Sequence, residues 1–222
     1  LALITSENKK PILPFLKWAG GKRWLVDRYT SYLDVPHTRF IEPFLGSGAA
    51  FFKLMPEQAI LCDKNEQLIE TYAAIRDSWQ LVESKLQEHH RKHSKEHYYK
   101  TRAEVPRTPA TRAARFIYLN RTCWNGLYRV NQSGGFNVPI GTKNNAVLES
   151  DDFEYVSRLL SSVELVAGDF ELAISRAGKG DFLFVDPPYT VKHNFNGFVK
   201  YNEKILSCDD QRGQSDCIEQ AA

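Results

Sequence analysis

Two short apolar runs, residues 39–43 (RFIEP) and Ala59–Asp63 (AILCD), each end on a polar or turn residue, and their length and unbroken apolar character predict buried parallel strands. Between them a glycine-containing turn leads into Ala49–Leu54, predicted to be a helix, so this part of the chain reads as one strand–helix–strand unit. Further on, Leu68, Tyr72, Ile75, Trp79, Val82 and Leu86 recur at alternating steps of four and three, the stripe of one long core-packed helix. After residue 150 the alternation returns. A helix is predicted over 151–160 with Ser150 as its N-cap, then a strand over 163–166, the turn GDF, a short helix near 171–176 and a strand over 182–185. Strands alternating with helices predict an α/β fold, a Rossmann-like doubly wound and mostly parallel sheet.

Residues 85–144 break this rhythm. His89, His90, His93 and His97 crowd with Lys and Arg, Pro106 and Pro109 interrupt the chain, and the apolar-basic run RAARFIYLNR follows. From Lys85 to Arg129 there are eleven Lys and Arg against three Glu, a local charge of +8 in a chain whose total is only +2. A segregated basic block is the footprint of a polyanion-binding insertion, because phosphate neutralisation and counterion release supply most nucleic-acid affinity. The expected organisation is a catalytic domain from residues 1–84 and 145–222, with a mainly helical insertion at 85–144. The four-residue spacing of His89, His93 and His97 lacks accompanying carboxylates or cysteines, so a solvated basic face is expected there and no metal site.

Composition narrows the class. At 42% hydrophobic and 25% charged, the 222 residues match an ordinary globular protein and exclude disordered or coiled-coil chains. No apolar run reaches the roughly 18 residues that cross a bilayer. The beginning of the sequence has no signal-peptide pattern. Cys62, Cys123, Cys208 and Cys217 form no C-x-x-C pair, so free thiols and a cytoplasmic location are expected. The pattern specifies no oligomeric state.

Three constellations carry chemistry. In EPFLGSGAAFF, Gly46 and Gly48 follow a strand and open a helix, letting backbone approach a ligand at the helix N-terminus. Asp63 closes the next strand, where a carboxylate can accept from ribose hydroxyls, so a nucleoside ligand is expected. In FLKWAGGKR an aromatic, a Gly-Gly pair and three cations lie together, but the spacing fails the phosphate-loop pattern, and a P-loop nucleotidase is excluded. DPPY, at 186–189, stands at the carboxyl end of the strand FLFV, the ligand-binding edge of open α/β sheets. Its prolines stiffen the turn and leave the Asp186 carboxylate and Pro187 carbonyl as acceptors beside an aromatic ring, a set suited to an amino-bearing base.

These motifs, in the order FLKWAGGK, EPFLGSGA, GDF and DPPY with a basic insertion between the second and third, resemble the Dam-type DNA adenine-N6 methyltransferases over roughly residues 12 to 201. The resemblance implies S-adenosylmethionine as cofactor, double-stranded DNA as substrate and GATC as target. By the same resemblance Trp18 and Lys22 line the cofactor pocket with Phe44, Gly46, Ser47 and Gly48. Asp63 holds the ribose, Asp169 and Phe170 of GDF lie against the adenosine, and Asp186 lies near both methionine and target. Catalysis is implied for Asp186, Pro187 and Tyr189, the last as stacking partner of an extruded adenine.

The segment LNRTCWNGLYRVNQSGGFNVP, residues 119–139, resembles the hairpin with which Dam-type enzymes read DNA. Arg129 falls on the arginine that reads a guanine edge, and Trp124, where Tyr is expected, falls on an aromatic wedge. Asn125 and Asn131 are implied backbone contacts, Lys17 approaches the first guanine, and Arg121 and Leu127 complete the implied DNA-binding set. Beyond Tyr201 the polar SCDDQRGQSDCIEQAA reads as a tail, where chains of this type continue with a helix and three strands, so an exposed sheet edge is expected. A cytosine-N4 methyltransferase and a non-catalytic DNA-binding remnant are the alternatives.

Overall fold

The computed structural model describes residues 12–188. The polar tail, Cys208, Cys217 and Tyr189 lie outside the described residues. Four parallel strands, β1 (Phe40–Glu42), β2 (Ala59–Asp63), β3 (Val163–Ala167) and β4 (Phe182–Leu183), form a sheet in the order β3-β2-β1-β4. The strands alternate between two apolar clusters. Phe40, Ala59, Leu61 and Val163 enter the main core, whereas Ile41, Ile60, Cys62 and Val166 face a smaller cluster that includes Ala173. Burial on both faces explains why β1 and β2 are near-continuous apolar runs, and the Rossmann-like α/β fold is the one the sequence predicts.

Two short helices, α1 (Arg23–Arg28) and α2 (Thr30–Leu33), precede the sheet, and α3 (Ala49–Leu54) has the bounds expected from the sequence. The long stripe becomes α4 (Glu66–Arg91), whose N-cap Asn65 accepts the Leu68 N–H at 3.1 Å. Ser78 (φ −154°) kinks it, so this is not one straight rod, and Trp79, beside the kink, is only half buried. The expected domain boundary at residue 84 falls inside α4. Next come α5 (Lys95–Ala103) and α6 (Pro109–Thr122), which opens on a Thr108–Thr111 capping box with Pro109 in the first turn. Ala113, Ile117 and Tyr118 of α6 enter the same core as Tyr72 and Phe153, so the inserted segment shares the core of the sheet domain. Further along come α7 (Phe153–Leu160) and, between β3 and β4, α8 (Glu171–Ile174). The N-cap of α7 is Asp152, which accepts the Tyr155 N–H, rather than Ser150.

The histidine cluster is not a solvated face. The chain leaves α4 at Lys92 and restarts at Ser94, which swings His97 back so that its Nε2 lies 3.0 Å from His89 Nδ1. The His89 ring stacks on Tyr118, and His93 Nδ1 lies 2.9 Å from the Tyr118 hydroxyl. Burial, then the neighbouring His97, pushes His89 down to about 4. A folded value below the unfolded value of about 6.5 means that the unfolded chain binds more protons between these limits. Stability is therefore full above pH 6.5 and falls as the pH drops through that window. His89 alone is expected to cost roughly 2 kcal/mol by pH 5. Urea midpoints between pH 7 and 4.5 check this; the slope should shrink in His89→Gln, and an unchanged slope would exclude His89 as its source.

Candidate active site

The carboxyl ends of β1, β2 and β4 converge on one edge. Past Glu42 the chain turns through Gly46 (φ +49°) and Gly48 (φ +66°), left-handed positions suited to glycine, and enters α3. A Cβ on Gly46 would lie 2.8 Å from Trp18 Cδ1, and one on Gly48 would lie 3.0 Å from the Tyr72 hydroxyl, so close packing also requires both glycines. Asp63 fixes this loop: its carboxylate accepts the Gly46 N–H and the Asn65 N–H, each at 2.9 Å. The residue expected to hold a ribose therefore also shapes the cradle beside it. Ser47 is buried below Gly21, and Phe44 stacks on the buried Phe170 with ring centroids 5.5 Å apart. Asp169, two residues past β3, is half-buried and pairs with Lys64 at 3.0 Å.

Asp186 follows β4, whose pairing to β1 continues through the Phe184 N–H to the Ile41 carbonyl. Lys22, from the Gly-Gly loop, donates to both Asp186 oxygens, at 2.7 and 2.9 Å. Two motifs 164 residues apart are thus joined by one ion pair. Beneath them sits Glu42, 3% exposed, with Oε2 buried and unpartnered among the described residues. Burial, reinforced by the Asp186 and Asp63 carboxylates, holds Glu42 well above the usual carboxylate range. Sequence reasoning missed Glu42, which reads there only as the end of a strand.

The segment expected to read DNA begins after α6 with a one-turn 3₁₀ helix, Trp124–Gly126. Trp124, the residue that the resemblance implies as a wedge, is exposed, and Asn125 is exposed in a left-handed conformation (φ +54°). A bridge between Val130 and Phe136 closes a small hairpin. Arg129 donates through Nε to Asn137 Oδ1 across it (2.8 Å), which orients the guanidinium. Asn131 turns its amide oxygen onto the Ser133 and Gly135 N–H groups, so it builds the hairpin tip. Leu127 is half buried against the core, and Lys17 reaches the loop at Gly126, where a Cβ would lie 2.6 Å from Lys17 Cδ.

Arg121 corrects the sequence reading. It is 2% exposed, donates to both Asp151 oxygens (2.6 and 2.7 Å) and to the carbonyls of Phe15 and Ala146, and cannot reach a duplex. Arg112 pairs with Glu70, and the buried Arg115 donates to the Thr101 and Arg102 carbonyls. Part of the +8 block is thus structural.

A sequence profile of the D12 class of N6 adenine-specific DNA methyltransferases matches residues 18–222. The chain belongs to that family. The match runs past Tyr201, where the motif resemblance ended, and it selects adenine-N6 chemistry over the cytosine-N4 alternative. Among relatives, the methyltransferase is 36% identical to the Type II methyltransferase M1.LlaDCHI of Lactococcus lactis subsp. cremoris, covering 98% of this chain and 80% of that one. It is 35% identical to the Type II methyltransferase M.MjaIII of Methanocaldococcus jannaschii (90% and 77%) and 30% identical to a DNA adenine methylase of Vibrio cholerae (94% and 76%). Among the described residues, no helix of the methyltransferase is long and apolar enough to cross a membrane.

Proposed function

We propose that the methyltransferase transfers the methyl group of S-adenosylmethionine to N6 of an adenine turned out of duplex DNA, with GATC as the target. The observation that carries this reading is the placement of Asp186, bound to Lys22 at the strand edge beside the Gly46–Gly48 cradle. The residues fit the cofactor. The glycines leave room for close backbone approach, Phe44, backed by the buried Phe170, offers an apolar face for the adenine, and Asp63 is the carboxylate beside the cradle proposed to meet the ribose. Glu42, buried with an oxygen unpartnered among the described residues, adds a polar group beside Asp186 and Asp63.

S-adenosylmethionine supplies the methyl group as a sulfonium, so no leaving-group protonation is needed. The protein's task is alignment and charge. The N6 lone pair is delocalised into the purine ring; hydrogen bonds from N6 to Asp186 and the Pro187 carbonyl draw the nitrogen towards tetrahedral geometry and stabilise its developing positive charge. To bind there, the amino group must share the carboxylate with Lys22. Tyr189, two residues past Pro187, is the stacking partner in this scheme and offsets about 1–3 kcal/mol of lost base stacking. Trp124 fills the gap in the duplex, and Arg129 reads a guanine edge. The cytoplasm is the proposed location.

Two variants test the two halves of the site. Gly46→Ala forces a side chain into Trp18 at a left-handed position, which costs about 1–2 kcal/mol in backbone conformation alone. Titration calorimetry with S-adenosylhomocysteine is expected to show at least a tenfold affinity loss, whereas wild-type affinity would remove the cradle from the cofactor site. Arg129→Ala is expected to cost about 1–3 kcal/mol of discrimination at one guanine. Competition between duplexes differing at that base pair measures it, and undiminished discrimination would assign the reading elsewhere.

A further inference from the structure

Asn120 lies on α6, 1% exposed, and its carboxamide makes three hydrogen bonds. Oδ1 accepts the Lys17 N–H at 2.9 Å, and Nδ2 donates to the Lys17 carbonyl at 2.8 Å and the Gly126 carbonyl at 3.4 Å. One side chain thus grips both sides of a residue in the segment that leads to Lys22, and also the turn that carries Trp124 and Asn125. Gly126 (φ +64°) presses directly on the Lys17 side chain. The next residue extends the connection: the Trp18 indole stacks on Tyr128 (5.4 Å, 22°), the neighbour of Arg129, while its Cδ1 fills the space that a Gly46 side chain would need. The segment 17–22 is therefore a shared wall, with the glycine cradle on one side and the DNA-reading loop on the other.

We propose that Asn120 is a positioning residue that locks the register between this wall and the DNA-reading loop, so that cofactor loading and DNA discrimination are one coupled equilibrium. Only a carboxamide places an acceptor and two donors at this buried point; aspartate keeps the acceptor for Lys17 N–H and loses both donors. Linkage makes the effect reciprocal: whatever the cofactor adds to sequence discrimination, cognate DNA adds to cofactor affinity.

The inference rests on the functional reading above, and its test separates the two. Fluorescence anisotropy gives the affinity ratio between a GATC duplex and one with the first guanine replaced, with and without S-adenosylhomocysteine. For the wild type the ratio should rise about tenfold with S-adenosylhomocysteine. In Asn120→Asp, folded by near-ultraviolet circular dichroism, that gain should fall to within about twofold while S-adenosylhomocysteine binding without DNA stays near wild type; a general packing defect would weaken all affinities together. Hydrogen exchange on the wild type provides a measurement independent of the variant's folding, since S-adenosylhomocysteine should slow exchange across residues 123–129. An undiminished gain in the folded variant, or exchange at 123–129 that ignores the ligand, overturns the inference and leaves the function standing. A wild type that methylates no DNA overturns both.

Discussion

Asp186→Ala is expected to lower the rate of methyl transfer by at least about 10³-fold while leaving duplex affinity nearly intact. The asymmetry follows from the position of the carboxylate. Asp186 is held at the strand edge by Lys22, where it serves charge that develops only as the methyl group moves. The carboxylate, paired with Lys22, offers phosphate no donor, so its removal does not weaken phosphate binding. Single-turnover methylation and equilibrium binding, measured on the same preparation, separate the two effects. A variant with the wild-type rate would remove Asp186 from the mechanism, and equal losses in rate and affinity would make it a binding residue. Asp186→Asn keeps one acceptor but not the charge, and is expected to stay close to the alanine variant.

The second large effect is on stability. Arg121→Ala leaves the Asp151 carboxylate, 6% exposed, without its guanidinium and strips donors from the Phe15 and Ala146 carbonyls. Breaking a buried ion pair from one side typically costs about 3–5 kcal/mol because the surviving charge stays buried. Urea denaturation at pH 7 is expected to show a loss of that size. Arg121→Lys should recover little of it, since an ammonium cannot span the carboxylate and two carbonyls with the guanidinium's planar fork. A loss below about 1 kcal/mol together with weakened DNA binding would return Arg121 to the duplex-contact role that the sequence resemblance implied.

Arg121 also marks where sequence reasoning stops. Strands β1 and β2 and helix α3 were legible because a run buried on both faces must be continuously apolar, and because Gly46 and Gly48 punctuate it. The position of Asp186 at the sheet's carboxyl edge was legible because DPPY directly follows an apolar strand. Charge was not. A cation in a basic block looks the same whether it faces phosphate or, like Arg121, a carboxylate 30 residues away. Asn120 and Glu42 were missed for a related reason, since each takes its meaning from groups brought to it by folding: the Lys17 backbone in one case and a buried sheet edge in the other. The histidines misled because their four-residue spacing suggested one helix face, whereas a break between Lys92 and Ser94 folds His97 back onto His89.

The most direct measurement is transfer of a labelled methyl group from S-adenosylmethionine to two duplexes, one containing GATC and one with its adenine replaced, followed by nucleoside analysis of the product. Label confined to the GATC duplex and recovered as N6-methyladenine is the expected result. Label in neither duplex, from folded protein that still binds DNA, would contradict it.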